Sequence, residues 1–344
     1  MSSRCRVALL GFGTVGAAVA RRLTAPSIAA DLQLTHIVDR RAAEKRARLA
    51  APGVVWTTSI DEALHSGADV VVEAIGGVEP AADWIRAALL AGKSVVTANK
   101  QVVARHGHAL LTLAARQGRQ LRFEAAVGGA MPIVRTIGEG LAGDRITRLV
   151  AILNGTTNAV LSQMEATGCA LSEALRDARA RGYAEADPSA DLDGRDAAAK
   201  LAILCALAFH LRVDLAQIEL RAPASSMTAA DFARARRSGA TIRQIAHADF
   251  DHLSRTLTAW VASVDVRAGS IFGQATGPQN AVVITGEHSG EIGIFGAGAG
   301  GDATAVAVLG DIAAIARDKA AIVPAPFLTS DFKLQTSLAL EAVC

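Results

Sequence analysis

The sequence predicts an α/β protein, a doubly wound parallel sheet with a second α+β domain after it. Three observations predict this: short branched-apolar runs alternate with alanine-rich helical stretches, a GxGxxG turn follows the first run, and the rhythm changes between Gly128 and Pro132. The apolar runs are residues 7–10, 34–38, 54–55, 70–72, 94–96 and 121–123. Runs that short, each feeding a segment of helical period, are what parallel strands buried on both faces look like. Beyond Pro132 the pattern predicts a strand at 146–153, helices at 172–181 and 195–211, and strands at 256–266, 282–285 and 291–295. A glycine-rich run, 296–301, then feeds a helix over 303–316. The expected domains are 1–130, completed by about 302–344, and 131–301.

Composition narrows the function. With 344 residues, 51% hydrophobic and 20% charged, the chain can bury a substantial core, which excludes wholesale disorder. No run of apolar residues is long enough to span a bilayer. Basic and acidic residues nearly balance, 35 against 33, and aromatics make up only 4%, so neither a charged stripe nor stacking platforms exist for nucleic acid. Cys5, Cys169, Cys205 and Cys344 are scattered, with no CxxC pair and no zinc spacing, and the N-terminus has no small-residue cleavage site. A reduced, cytoplasmic protein with free thiols is expected.

Gly11-Phe12-Gly13-Thr14-Val15-Gly16 directly follows the first strand and opens a helix. In that context the glycines allow a tight turn, close approach of a pyrophosphate to backbone N–H groups, and tight helix packing. The second strand ends in Asp39-Arg40-Arg41. A carboxylate there binds a ribose 2′-hydroxyl and an arginine pairs with a 2′-phosphate, so the choice between NAD and NADP stays open. Thr97 and Lys100 end the fifth strand, on the side where open α/β sheets bind ligands, although a lone lysine there is more often a solvated charge.

The segment from Gly182 and Tyr183 to Lys200 gathers Glu185, Asp187, Asp191, Asp193 and Asp196 with the only tyrosine of the chain, ahead of a strongly apolar helix. It fails as a calcium loop, because Lys200 stands where a bidentate glutamate is needed. Asp196 and Lys200 are four apart and share a helix face; a surface pair is the bland reading, but Leu201, Ile203 and Leu204 carry this helix into the core. A lysine balanced by an aspartate at a desolvated cleft is suited to proton transfer, with Glu185 and Asp191 left to hold an ammonium group. Asn154-Gly155-Thr156-Thr157-Asn158 caps a helix, lines the cleft, or does both. The eight histidines show no paired-ligand spacing.

The order GFGTVG, VVTANK, FEAAVGGAMPIV, LNGTTN, GYAEADPSADLDGRDAAAK, GAGAGGDATA resembles the homoserine dehydrogenase family over about residues 5 to 320. The resemblance implies reversible, NAD(P)-dependent interconversion of L-homoserine and L-aspartate 4-semialdehyde on the route to threonine and methionine. It implies a Rossmann-type domain and a second domain that binds substrate and forms a homodimer. It assigns the proton donor and acceptor to Lys200, a second active-site lysine to Lys100, and substrate binding to Glu185, Asp196 and the supporting Asp191, with Tyr183 beside them. The cofactor residues it implies include Phe12, Gly13, Thr14, Val15, Arg40, Gly182 and Gly300, and a monovalent cation such as Na+ would fall at Glu124, Val127, Gly129 and Met131. Ala303 replaces the usual proline of the last motif, and the sequence stops short of the regulatory ACT domain of many relatives, so threonine feedback by that route is expected to be missing. The competing readings are a dehydrogenase of the same superfamily acting on another amino acid, and a non-catalytic dinucleotide-binding regulator. The NGTTN and GYAEAD segments argue against the first, and Lys100 with Lys200 against the second.

Overall fold

Six parallel strands form the first sheet: β1 (Cys5–Leu10), β2 (Leu32–Val38), β3 (Val55–Thr57), β4 (Val70–Glu73), β5 (Ser94–Thr97) and β6 (Leu121–Arg122). The structure is a computed structural model that describes residues 4–25, 31–321, 323 and 328–336. The strand order β3-β2-β1-β4-β5-β6 reverses direction between β1 and β4, which is the Rossmann arrangement and puts the ligand crevice at the carboxyl ends of those two strands. Val7, Leu9, Val70, Val72 and Val96 are buried against Val19 and Leu23 of the Thr14–Leu23 helix, as their unbroken β-branched and leucine pattern requires.

The same core is filled by Val308, Ile312 and Ile315 from the distant Gly301–Arg317 helix. Its first residue lies against the dinucleotide turn: a Cβ on Gly301 would sit 3.0 Å from the carbonyl oxygen of Thr14. Accordingly the described residues of Met1–Ala130 and Gly300–Pro326 form one compact unit, and those of Met131–Ala299 and Phe327–Cys344 a second.

The second unit holds a mixed sheet of β7 (Ile146–Ile152), β8 (Glu219–Arg221), β9 (Ala240–Asp251), β10 (Thr256–Arg267), β11 (Gln279–Gly286), β12 (Gly290–Ala297) and β13 (Lys333–Leu334). Its order is β12-β11-β7-β9-β10-β13, with β8 also on β10. Val150, Ile245, Trp260 and Phe272 pack on one face, while Val160, Met164, Phe232 and Ile242 form a separate cluster with the helices Gly155–Thr167 and Ala229–Arg237.

Several features, among them strands β8 and β9 and the helix Ala229–Arg237, depart from the sequence expectation. The twelve-residue β9 is absent from it, because Arg243, Gln244 and His247 interrupt the apolar pattern. Arg243 is nevertheless fully buried, donating to the carbonyls of Ile242, Gly273 and Ala275 and pairing with Glu165 at 2.7 Å. The segment 302–344, expected to complete the first domain as a whole, is divided: β13 pairs in parallel with Thr256 and Leu257 of β10, where an edge strand offers unpaired backbone groups. Cys5, Cys169 and Cys205 are free, and burial pushes the Cys205 thiol up to about 12; Cys344 lies outside the described residues.

Phe272 is fully buried in the second-unit core. Phe272→Ala is therefore expected to destabilise folding by about 3–5 kcal/mol, read as a lower denaturation midpoint in urea.

Candidate active site

The turn after β1 is built to expose backbone. Gly11 has φ +95° and a Cβ there would lie 2.7 Å from the carbonyl oxygen of Ala74; a Cβ on Gly16 would lie 2.0 Å from that of Gly11. Gly13, the N-cap of the following helix, has no side-chain cap, and nothing lies within 4 Å of where its Cβ would be. Open space in front of uncapped N–H groups fits a dinucleotide pyrophosphate. Thr14 is exposed beside it, while Val15 is half-buried on the core and Phe12 is buried edge-on against Trp56, with ring centroids 4.8 Å apart.

Asp39 does not wait at the end of β2 as a free ribose ligand. Its carboxylate accepts from the Phe12 N–H (2.9 Å), the Arg41 N–H (2.9 Å) and Lys45 Nζ (2.6 Å). Asp39 and Lys45 are both buried, whereas Arg40 and Arg41 are exposed. Burial alone would raise the Asp39 carboxyl, but the bonds from Lys45, Arg41 and Phe12 outweigh it and hold it below the ordinary carboxylate range.

A second carboxylate orders the ends of β4 and β5. Glu73, with no exposed surface, accepts from the N–H groups of Ile75 and Gly76 and from the Thr97 hydroxyl. That hydroxyl accepts from the Asn99 N–H, and the Asn99 side chain both donates to the Gly77 carbonyl and caps the Lys100–Arg116 helix through Val102 N–H. Lys100, half-buried, is the first residue of that helix. Thr97 thus serves the loops through Glu73.

In the second unit the acidic segment closes around one amide. Asn154 Oδ1 accepts from Thr157 N–H, capping the Gly155–Thr167 helix, while its Nδ2 donates to Asp191 Oδ1 (2.7 Å) and Asp196 Oδ2 (2.8 Å). Lys200 Nζ lies 2.9 Å from Asp196 Oδ2 and donates to the Leu153 carbonyl at 2.7 Å. The two side chains are 13% and 5% exposed, so this is a cleft pair and not a solvated surface one. Gly194 starts their helix at φ +86°, where a Cβ would lie 2.9 Å from Val261 Cγ1. Gln244 Nε2 ties the Asp191 and Leu192 carbonyls to β9.

The remaining candidates are more open. Glu185 and Tyr183 are exposed; Arg179 holds the Glu185 and Ala186 carbonyls, and the Thr156 hydroxyl holds that of Tyr183. Gly182 and Gly300 have positive φ and open space at the Cβ position. Glu124 is buried in a short 3-10 turn ahead of Val127 and Gly129, and Met131 is buried at the start of the second unit. Sequence reasoning did not single out Lys45, Trp56, Glu73 or Gln244. A lone glutamate closing an all-valine strand was the available signal for Glu73; nothing local marks Lys45, six residues from the acid it neutralises.

Residues 11–124 match the family model "Homoserine dehydrogenase, NAD binding domain" and residues 132–313 match "Homoserine dehydrogenase". The chain is 41% identical over 323 residues to the homoserine dehydrogenase of Mycobacterium tuberculosis, covering 91% of this chain and 72% of that protein. It is 35% identical over 320 residues to that of Bacillus subtilis, covering 91% and 73%. Among solved structures, a homoserine dehydrogenase from Thiobacillus denitrificans superposes with a TM-score of 0.87 at 33% identity, over 97% of this chain and 80% of that one. One from Staphylococcus aureus gives 0.75 at 30%, over 92% and 77%. With both units matched by their own models and relatives aligned along nine-tenths of its length, the chain belongs to the homoserine dehydrogenase family.

Proposed function

We propose that the protein interconverts L-homoserine and L-aspartate 4-semialdehyde with NAD(P), in the aspartate-derived route to threonine and methionine. The observation that carries this reading is the cleft pair Asp196–Lys200, with Asn154 donating to the same carboxylate, inside the segment matched by the family model. The family matches disfavour both a dehydrogenase for another amino acid and a non-catalytic regulator.

When bound, the nicotinamide dinucleotide supplies the hydride acceptor in one direction and the donor in the other. Lys200 carries the proton at Nζ that the substrate oxygen gains or loses, and Asp196 with the Leu153 carbonyl aims that ammonium group. Lys100 adds a second positive charge against the developing alkoxide. Glu185, Asp191 and Asp196 take the substrate ammonium group, with Tyr183 beside them. The same reading would place a monovalent cation such as Na+ at Glu124, Val127, Gly129 and Met131. Assembly as a homodimer belongs to the same reading; light scattering on the purified protein tests it.

NADP is the favoured dinucleotide. Three donors already occupy Asp39, one of them an ammonium that cancels its charge, and exposed Arg40 and Arg41 flank it. A neutral pair beside two guanidinium groups accepts a 2′-phosphate that a bare aspartate repels.

Absorbance at the nicotinamide band with L-homoserine and either dinucleotide tests the assignment; absence of turnover in both directions with both dinucleotides would overturn it. Lys200→Ala is expected to lower kcat by about 10²–10⁴-fold while dinucleotide affinity, read by fluorescence titration, stays unchanged. Wild-type turnover in that variant would remove Lys200 from its role. Lys45→Met should weaken NADPH binding about tenfold relative to NADH, about 1.4 kcal/mol, by leaving Asp39 uncompensated. An unchanged ratio of the two dissociation constants would show that Asp39 does not report on the 2′-position.

A further inference from the structure

The strand edge opposite the dinucleotide turn carries a cluster of charge that hydride transfer does not use. Arg6 lies at the start of β1, Asp69 immediately before β4, Lys93 immediately before β5, and Arg119 two residues before β6. Because these strands are parallel, their starts share one edge of the sheet. With Lys319, which follows the closing helix, these side chains line a cavity of about 250 Å³ within the first unit. Four cations therefore face one carboxylate.

The cluster is built, not a chance crowding of flexible side chains. A Cβ on Gly67 would lie 2.3 Å from Arg6 Nη1, so the guanidinium rests directly on that glycine; at Gly92 a Cβ would lie 3.7 Å from Arg119 Nη2. Lys93 Nζ is held by the Ser66 carbonyl at 2.8 Å. The single carboxylate is already engaged: Asp69 accepts from the Arg6 N–H at 2.8 Å and pairs with Lys319 at 3.1 Å. Among the described residues neither the Arg6 nor the Arg119 guanidinium has an acid within 4.0 Å, and Arg119 Nε is buried without a hydrogen-bond partner. Burial lowers the Lys93 ammonium group below its ordinary range; Asp69 opposes this, and the positive fields of Arg6 and Arg119 add to it. Lys93 and Arg119 are held within the recess, Arg119 with a buried donor left over, while Arg6 and Lys319 stand exposed at its rim.

We propose that this recess is a second ligand site, for a small multivalent oxyanion that presents phosphoryl oxygens. Arg6 and Arg119 supply planar donor forks matched to such a group, and Lys93 and Lys319 supply point charges. The cavity has room for a phosphoryl group with its ordered water, since each water takes about 30 Å³ of liquid volume. The same chemistry is offered by inorganic phosphate or pyrophosphate and by a phosphorylated metabolite.

Calorimetric titration of the intact protein with phosphate, pyrophosphate and a sugar phosphate tests the site, with Arg40→Ala as a control for anions at the dinucleotide turn. The expected result is saturable binding that weakens about tenfold in Arg119→Gln and is unchanged in Arg40→Ala. Lys319→Gln, on an exposed turn, gives a second reading should Arg119→Gln not fold, with a smaller loss of the same sign. Tighter binding of pyrophosphate assigns the site to an inorganic anion, and tighter binding of the sugar phosphate assigns it to a metabolite. No heat at millimolar anion, or binding retained at full strength in both Arg119→Gln and Lys319→Gln, would overturn the proposal.

Discussion

One amide organises the second unit. Asn154 ends β7, and its side chain is divided between two tasks: the oxygen closes the first turn of a helix and the nitrogen bridges two carboxylates from a segment some forty residues away. Two acids brought this close repel one another unless donors lie between them. The amide supplies two of those donors, and Lys200 supplies both charge and a third. Helix cap, acid pair and lysine therefore stand or fall together, and substituting any one leaves buried charge without its partner.

The first unit uses the same device twice without a side-chain amide. Asp39 and Glu73 both sit at carboxyl ends of parallel strands, both are buried, and both are satisfied chiefly by loop N–H groups. Each fixes the shape of a loop that faces the crevice. A carboxylate that accepts backbone N–H groups is a geometric clamp, strong because the alternative is an unpaired charge in a poorly hydrated place. The dinucleotide turn and the segment carrying Lys100 owe their positions to these clamps as much as to their glycines.

Much of this was legible in the sequence, and the division has a physical reason. The parallel strands were readable because burial on both faces leaves unbroken runs such as Val70-Val71-Val72. The Asp196–Lys200 pair was readable because helical spacing is local. Strand β9 was not, since Arg243 is tolerated in the core only by virtue of Glu165 and carbonyls far along the chain. Lys45 is illegible for the same reason: its meaning lies in a partner brought near by the fold, which composition and periodicity do not encode, whereas Glu73 leaves one mark, a lone acid closing a valine strand. Asp39 was singled out and its partner was not, so its charge read as free when it is cancelled.

The helix Gly301–Arg317 has a consequence for how the protein is made. Its Val308, Ile312 and Ile315 fill a core that otherwise belongs to the first 125 residues or so, but the whole of Met131–Ala299 is translated in between. At about 5–20 residues per second the nascent sheet waits on the order of ten seconds or more with one apolar face unsealed. During that interval the second unit can begin to fold on its own while the first cannot finish. The chain thus seals its dinucleotide half only after Met131–Ala299 has been made, and β13, downstream of the closing helix, joins the second unit later still.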